Sequence, residues 1–148
     1  MYSIVLIHDA SQISFSELNF LLQQLNPDLK ATDQLHIQKL FHSNAIKLFG
    51  AFDDHKKLIG ILSVVLFPIP SGMRCWIEDV VVDQSHRGKG LGKKLMNQAI
   101  EYAKANGAEY VELTSRPSRI EANEMYRSMG FEKRETNVYR MKVAYKEN

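Results

Sequence analysis

Three glycines fall at alternate positions in the stretch Arg87-Gly88-Lys89-Gly90-Leu91-Gly92-Lys93. The stretch follows an apolar run, Val80-Val81-Val82, and leads into helical spacing that begins at Leu91. Glycine inside a helix costs about 1 kcal/mol against alanine, so three of them at a helix start need a reason. Missing side chains let an anion approach the backbone N–H groups at a helix N-terminus. Arg87 and Lys89 add positive charge on the same side. The chemistry that fits is the binding of a phosphate or pyrophosphate. A flexible surface turn with solvated bases is the alternative, and the position between strand and helix counts against it.

Two common nucleotide motifs fail on this stretch. A dinucleotide fingerprint, G-x-G-x-x-G, would need glycine at Lys93 or at Leu95. A P-loop, G-x-x-x-x-G-K-[ST], has Gly92-Lys93 but meets Arg87 at its first position and Lys94 at its last. The pattern that remains is R-x-x-G-x-G, carried by Arg87, Gly90 and Gly92.

Elsewhere the chemistry is sparse. The single cysteine, Cys75, lies in an apolar strand pattern and reads as buried filler rather than a nucleophile. The five histidines are dispersed, with no metal-ligand spacing, so no metal is expected.

The elements that must position the loop follow from periodicity. Residues 2–7 read as a strand. Ser14-Phe15-Ser16-Glu17 has capping-box spacing and opens a helix through Leu18, Leu21, Leu22 and Leu25, ended by Asn26-Pro27. Thr32-Asp33 caps a second helix with Leu35, Leu40 and Phe41. Ile46 to Phe52 and Leu58 to Phe67 form a hairpin, and Pro68-Ile69-Pro70-Ser71-Gly72 is a loop. A strand from Met73 to Val82 precedes the glycine stretch. Leu91 to Ala103 is a helix stopped at Asn106-Gly107. Tyr110 to Leu113 is a strand, Arg119 to Met129 a helix closed by Gly130, and Phe131 to Arg134 and Val138 to Val143 close the chain as strands.

The order is β-α-α-β-β-β-α-β-α-β-β. It predicts an α/β (α+β) fold: a mixed, mostly antiparallel sheet of about seven strands flanked by four helices, with a right-handed parallel crossover within residues 73–114. The chain of 148 residues, 45% apolar and 24% charged, fits a single domain spanning 1–148. A net charge of +2 with scattered bases argues against nucleic acid. No signal peptide and no apolar run of membrane-spanning length is expected, and a lone cysteine suits a reducing, cytoplasmic setting.

With R-x-x-G-x-G in this order of elements, the sequence resembles the GCN5-related N-acetyltransferase (GNAT) superfamily. Its acetyl-CoA signature, Q/R-x-x-G-x-G/A, lies between the fourth strand and the third helix. Ala122-Asn123-Glu124-Met125-Tyr126-Arg127-Ser128-Met129-Gly130-Phe131 is similar to that family's A-x-x-x-Y-x-x-x-G-F element. The resemblance covers nearly the whole chain. It implies acetyl-CoA as co-substrate, held by Arg87 to Lys93, the backbone of Val80, Val81 and Val82, Ser115, Asn123 and Tyr126. Val80 to Val82 would pair with the pantetheine arm as an added strand does, on a strand that splays from its neighbour, and an amide there could hold the oxyanion.

Acyl transfer to an amine requires a proton taken from the amine, charge stabilised on the carbonyl oxygen, and a proton given to the thiolate. The resemblance points to Tyr126 as the acid. It points to a carboxylate base at Glu78 or Asp79, with Glu78 favoured, or to no dedicated base. Adjacent strand residues face opposite sides, so one of the two carboxylates is expected in the cleft. Arg119 stands where the family often has asparagine, and Asn123 lies one residue past Ala122. Arg116 and Arg119 would then meet an anionic part of the acceptor or a cofactor phosphate, with exposed, solvated arginines as the alternative. The acceptor would be a small-molecule or peptide amine, chosen by residues 14–45 and 67–73, and a homodimer is an option. The alternative is a non-catalytic acyl-CoA-binding or regulatory module.

Overall fold

Apolar residues recur at strand and helix intervals, and their burial turns those intervals into layers. The computed structural model describes residues 1–144. Its strands are β1 (Ser3–Ile7), β2 (Ile46–Phe52), β3 (Leu58–Ile69) and β4 (Gly72–Val82). Its helices are α1 (Phe15–Leu25), α2 (Gln34–His42), α3 (Leu91–Ala105) and α4 (Ile120–Ser128). The chain divides into two compact units, Met1–Thr114 and Ser115–Asn148.

In the first unit the strands pair antiparallel in the order β1-β2-β3-β4. Central β3 buries Leu58, Ile59, Ile61, Leu62 and Val64 in succession. Such a run arises when helices cover both faces of a strand. On one face α1 and α2 bring Leu18, Leu21 and Ile37 into a core with Ile7, Leu48, Leu58, Ile61 and Val81. On the other, α3 buries Leu91, Leu95, Met96, Ala99 and Ala103, one helical stripe. Gly60 allows the close approach: a Cβ there would lie 3.3 Å from Leu95 Cδ1, Ala51 Cβ and the Val81 carbonyl oxygen.

The caps explain where the first two helices begin. Ser14 Oγ accepts from the Glu17 N–H at 3.4 Å, and Asp33 Oδ1 accepts from the His36 N–H at 2.8 Å. The capping box at Ser14 is only half made. Glu17 Oε2 instead accepts from the Leu58 N–H at 3.0 Å, tying the start of α1 to the start of β3.

The expected sheet of about seven strands is corrected to four. Tyr110 to Leu113 contributes a single parallel bridge, Trp76 to Glu112, with the Ile77 N–H donating to Glu112 O at 2.9 Å and the Glu112 N–H to Cys75 O at 3.0 Å. That bridge realises the parallel crossover in its shortest form. Residues 131–134 and 138–143 form no strand. Val138, Tyr139, Met141 and Val143 are exposed. Alternation describes one segment, whereas a strand needs a partner, and partner choice is set by tertiary context. The expected loop at 68–72 is also corrected. Pairing continues through Pro68–Met73 and Ile69–Gly72, leaving Pro70-Ser71 as the turn. Pro68 is tolerated because the β2–β3 register ends at Ile46–Val65, so no second ladder needs its missing N–H.

Gly60→Val should cost about 1–3 kcal/mol of stability by forcing α3 away from the sheet. Urea denaturation reads this as a lower midpoint; an unchanged midpoint would mean that the α3 contact has room to spare.

Candidate cofactor and catalytic site

The first unit carries the glycine stretch on the connection from β4 to α3. Asp83 opens it. Its side chain is 6% exposed and caps a 3-10 turn, Gln84–His86, by accepting from the Ser85 N–H at 3.2 Å. Burial works against its charge, but the hydrogen bonds from Ser85 and Gln24 and the nearby Lys57 charge more than offset it, so its pKa is lowered. Arg87 Nε donates to Val82 O at 2.9 Å, folding that side chain back over the strand end. Lys89 Nζ donates to Tyr2 Oη at 2.9 Å and stands 5.6 Å from the centre of the Tyr2 ring.

The loop then turns through left-handed backbone at Gly88 (φ 76°) and Gly90 (φ 75°). Gly90 is the N-cap of α3 and supplies no side-chain cap bond. Its carbonyl accepts from the Lys94 N–H at 3.0 Å, which starts the helical ladder and leaves the N–H groups of Leu91, Gly92 and Lys93 outside it. Those donors and the helix dipole point the same way, toward an anion. Leu91 serves through its backbone alone, since its side chain is 1% exposed within the core.

Upstream, β4 is distorted. Its register runs Ser63–Glu78 and then Ile61–Val81, so Asp79 and Val80 together face Leu62. This is a β-bulge, and Asp79 takes φ 51°. The bulge breaks the alternation between Asp79 and Val80, after Glu78 has paired with Ser63, and Glu78 and Asp79 are both exposed. Partial burial raises the Glu78 pKa, and the Asp79 charge raises it further; burial also raises that of Asp79. From Glu78 to Val82, β3 is the strand partner among the described residues, and the parallel bridge at Trp76 does not extend this far. Val81 itself is buried in the core. Burial pushes the Cys75 thiol up to about 11, so it stays protonated and unreactive.

The second unit carries the remaining candidates. Asn123 Nδ2 donates to Arg116 O at 2.9 Å, closing the turn before α4. Ser115 Oγ is buried and has no hydrogen-bond partner among the described residues. Such an orphaned hydroxyl suits a polar ligand atom. Tyr126 is buried, and burial raises its phenol pKa against the opposing charge of Arg119. The helix ends two residues later, at Ser128, in a Schellman motif: the Gly130 N–H donates to Arg127 O and the Phe131 N–H to Tyr126 O, each at 3.0 Å. Gly130 provides the left-handed φ of 95°. The Phe131 ring packs edge-on to Tyr126 at 5.9 Å.

Sequence reasoning found the loop but missed what holds it. Asp83 had a signal, since Asp-x-Ser after a strand suits a side-chain-capped turn. Tyr2 and Gln24 had none, because each reaches the loop from a remote element.

Residues 11–131 match the Acetyltransferase (GNAT) family. The chain is 44% identical over 59 residues to the uncharacterized N-acetyltransferase MJ1207 of Methanocaldococcus jannaschii, covering 40% of this chain and 26% of that protein. It is 27% identical over 104 residues to human N-acetyltransferase 8B, covering 69% of this chain and 46% of that one. It thus spans about a quarter to a half of the length of these curated relatives. A crystal structure of the aminoglycoside acetyltransferase meta-AAC0020 from an uncultured soil metagenomic sample superposes with a TM-score of 0.85 at 22% identity, covering 97% of each chain. That likeness establishes the shared fold.

Asp79→Val should destabilise by about 1–2 kcal/mol, because a β-branched residue cannot take left-handed backbone cheaply. Asp79→Gly should be tolerated. Equal stability of the two variants in guanidinium unfolding would contradict the bulge geometry.

Proposed function

This chain belongs to the acetyltransferase (GNAT) family, and from that premise we propose that residues 1–148 act as one N-acetyltransferase domain. It would move the acetyl group of acetyl-CoA directly to a primary amine. The observation that carries the reading is the short stretch of chain that joins a bulged strand end, with two exposed carboxylates, to a helix start capped only by glycine. The first suits an acyl-transfer centre and the second suits a pyrophosphate.

Acetyl-CoA supplies the acetyl group as an activated thioester. The N–H groups of Leu91, Gly92 and Lys93, with Gly88 and Gly90, hold its pyrophosphate, and Arg87 and Lys89 exchange their bonds to Val82 O and Tyr2 for phosphate oxygens. Ser115 Oγ and Asn123 contribute polar contacts. The backbone of Val80 to Val82 pairs with the pantetheine arm and stabilises the carbonyl oxygen. Glu78 takes a proton from the ammonium, with Asp79 as the alternative base, and the neutral amine so formed attacks the thioester carbonyl. As the N–C bond forms and the C–S bond breaks, Tyr126 Oη gives its proton to the sulfur, and the second proton shed by the nitrogen, relayed through solvent, restores the phenol. No covalent enzyme intermediate is required, in keeping with the unreactive Cys75.

The acceptor class stays at amines, presented by small molecules or peptides. No helix among the described residues is long and apolar enough to cross a membrane. The lone thiol suits a cytoplasmic setting, and homodimerisation is a further part of the proposal that rests on family resemblance.

Acetyl-CoA at 100 times its Kd should stabilise the fold by about 2.7 kcal/mol in a thermal-shift assay. No shift at millimolar acetyl-CoA overturns the reading. Binding without thiol release across a broad amine panel favours a non-catalytic acyl-CoA module instead.

Tyr126→Phe should lower kcat about 100-fold while leaving acetyl-CoA affinity near that of the wild type. An unchanged kcat removes the acid role. Burial raises the phenol pKa, so the acid stays protonated at neutral and mildly alkaline pH and rates there should not fall on its account.

Glu78 must be ionised to accept a proton, and its pKa lies above the ordinary 4.5. The kcat/KM profile should therefore fall as pH drops through a value above 4.5, and Glu78→Gln should abolish that limb. Persistence of the limb in the variant transfers the role to Asp79 or to free amine.

A further inference from the structure

Gln24 stands in the last turn of α1, within the same unit as the loop, and its amide makes two bonds at once. Nε2 donates to Asp83 Oδ1 at 3.3 Å, and Oε1 accepts from the Gln84 N–H at 2.8 Å. These bonds meet the chain where it leaves the sheet: the Asp83 N–H donates to Ile59 O at 2.8 Å. Asp83 in turn caps Ser85 and stands 3.6 Å from His86 Nδ1. The other holds on the loop, Arg87 to Val82 O and Lys89 to Tyr2, belong to exposed bases that the bound phosphate would claim. The Gln24 bracket is half-buried and uses neither base.

An amide side chain combines donor and acceptor on one small planar group. A carboxylate at this position could accept from Gln84 but would oppose the Asp83 charge, and an aliphatic side chain could do neither. An anion site built from backbone N–H groups binds well only when those groups are already in place. Its apparent affinity falls by the fraction of time they are not.

We propose that Gln24 is a positioning residue for the cofactor: it fixes the Asp83–His86 turn, and through it the Gly88–Gly90 loop and the N–H groups that open α3, without touching the cofactor itself. The inference rests on the acetyl-CoA site proposed above.

Acetyl-CoA affinity by titration calorimetry, with steady-state kinetics beside it, tests this. Gln24→Leu should raise the Kd and KM for acetyl-CoA about tenfold, or about 1.4 kcal/mol, with the amine KM and saturated kcat within about twofold of wild type. Gln24→Glu should weaken binding at least as much. Combining Gln24→Glu with Asp83→Asn exchanges donor and acceptor: the new amide donates to the new carboxylate, which also accepts from the Gln84 N–H, at the expense of the bond Asp83 Oδ1 accepts from the Ser85 N–H. Asp83→Asn alone loses that same bond, so the double variant should bind more tightly than the two single losses combined would give. It also decides the matter should Gln24→Leu not fold. A lower melting temperature with unchanged Kd makes Gln24 merely structural and overturns the proposal, as does a double variant no better than the sum of its parts. Wild-type protein that fails to bind acetyl-CoA overturns the proposed function itself, a separate and recognisable result.

Discussion

The connection from β4 to α3 must do two things that conflict. It has to keep the first N–H groups of a 15-residue helix without a side-chain cap, and it has to hold that helix start in one place. A side-chain cap would satisfy the helix and take up the N–H groups proposed to hold an anion. Gly90 resolves half of the conflict by starting the helix from left-handed backbone with nothing attached. The other half is met one turn earlier, where Asp83, buried and bonded to Ser85 and Gln24, fixes the chain before the glycines begin. Rigidity sits beside the loop, so the loop itself can remain bare.

The bulge in β4 has a comparable double effect. By register, Ile77 shares a sheet face with the positions opposite Val64, and Val81 shares the other with Ile61. Without an inserted residue these two odd-numbered positions would face the same way. The bulge lets Ile77 and Val81 both be buried, in different layers, and puts Glu78 and Asp79 at the surface between them. The distortion that serves the packing of both layers thus falls on the second of two consecutive carboxylates. A left-handed aspartate is costly compared with an extended one, but the buried Val81 that follows holds it there.

Much of this was legible from residues alone. Helix starts at Ser14 and Asp33, the stripe from Leu91 to Ala103, and the hairpin strands follow from local periodicity and capping, and so does the glycine loop. What escaped was non-local or broke a local rule. Glu17 looked like half of a capping box and instead bonds Leu58 across the fold. The bulge is invisible because alternation is assumed when a strand is read. Residues 138–143 alternate as a strand should, yet only pairing makes a strand. Gln24 is one of two adjacent glutamines in an amphipathic helix, and nothing in its neighbourhood in sequence hints at Asp83.

The Tyr126 element rewards the same separation of local from functional causes. A helix that stops at Met129 requires left-handed backbone at Gly130, and the Schellman closure brings residue 131 back over residue 126. An apolar contact between those two positions commonly accompanies that closure, and the ring pair at 5.9 Å supplies it. Gly130, Phe131 and the aromatic ring at 126 are thus accounted for by stopping a helix. The phenolic oxygen is not: a plain phenyl ring would make the same contact without carrying a hydroxyl whose charged form burial disfavours. The cap explains the ring, so the acid role proposed for Tyr126 rests on the hydroxyl alone, whose raised pKa keeps its proton in place at neutral pH without making it a stronger acid.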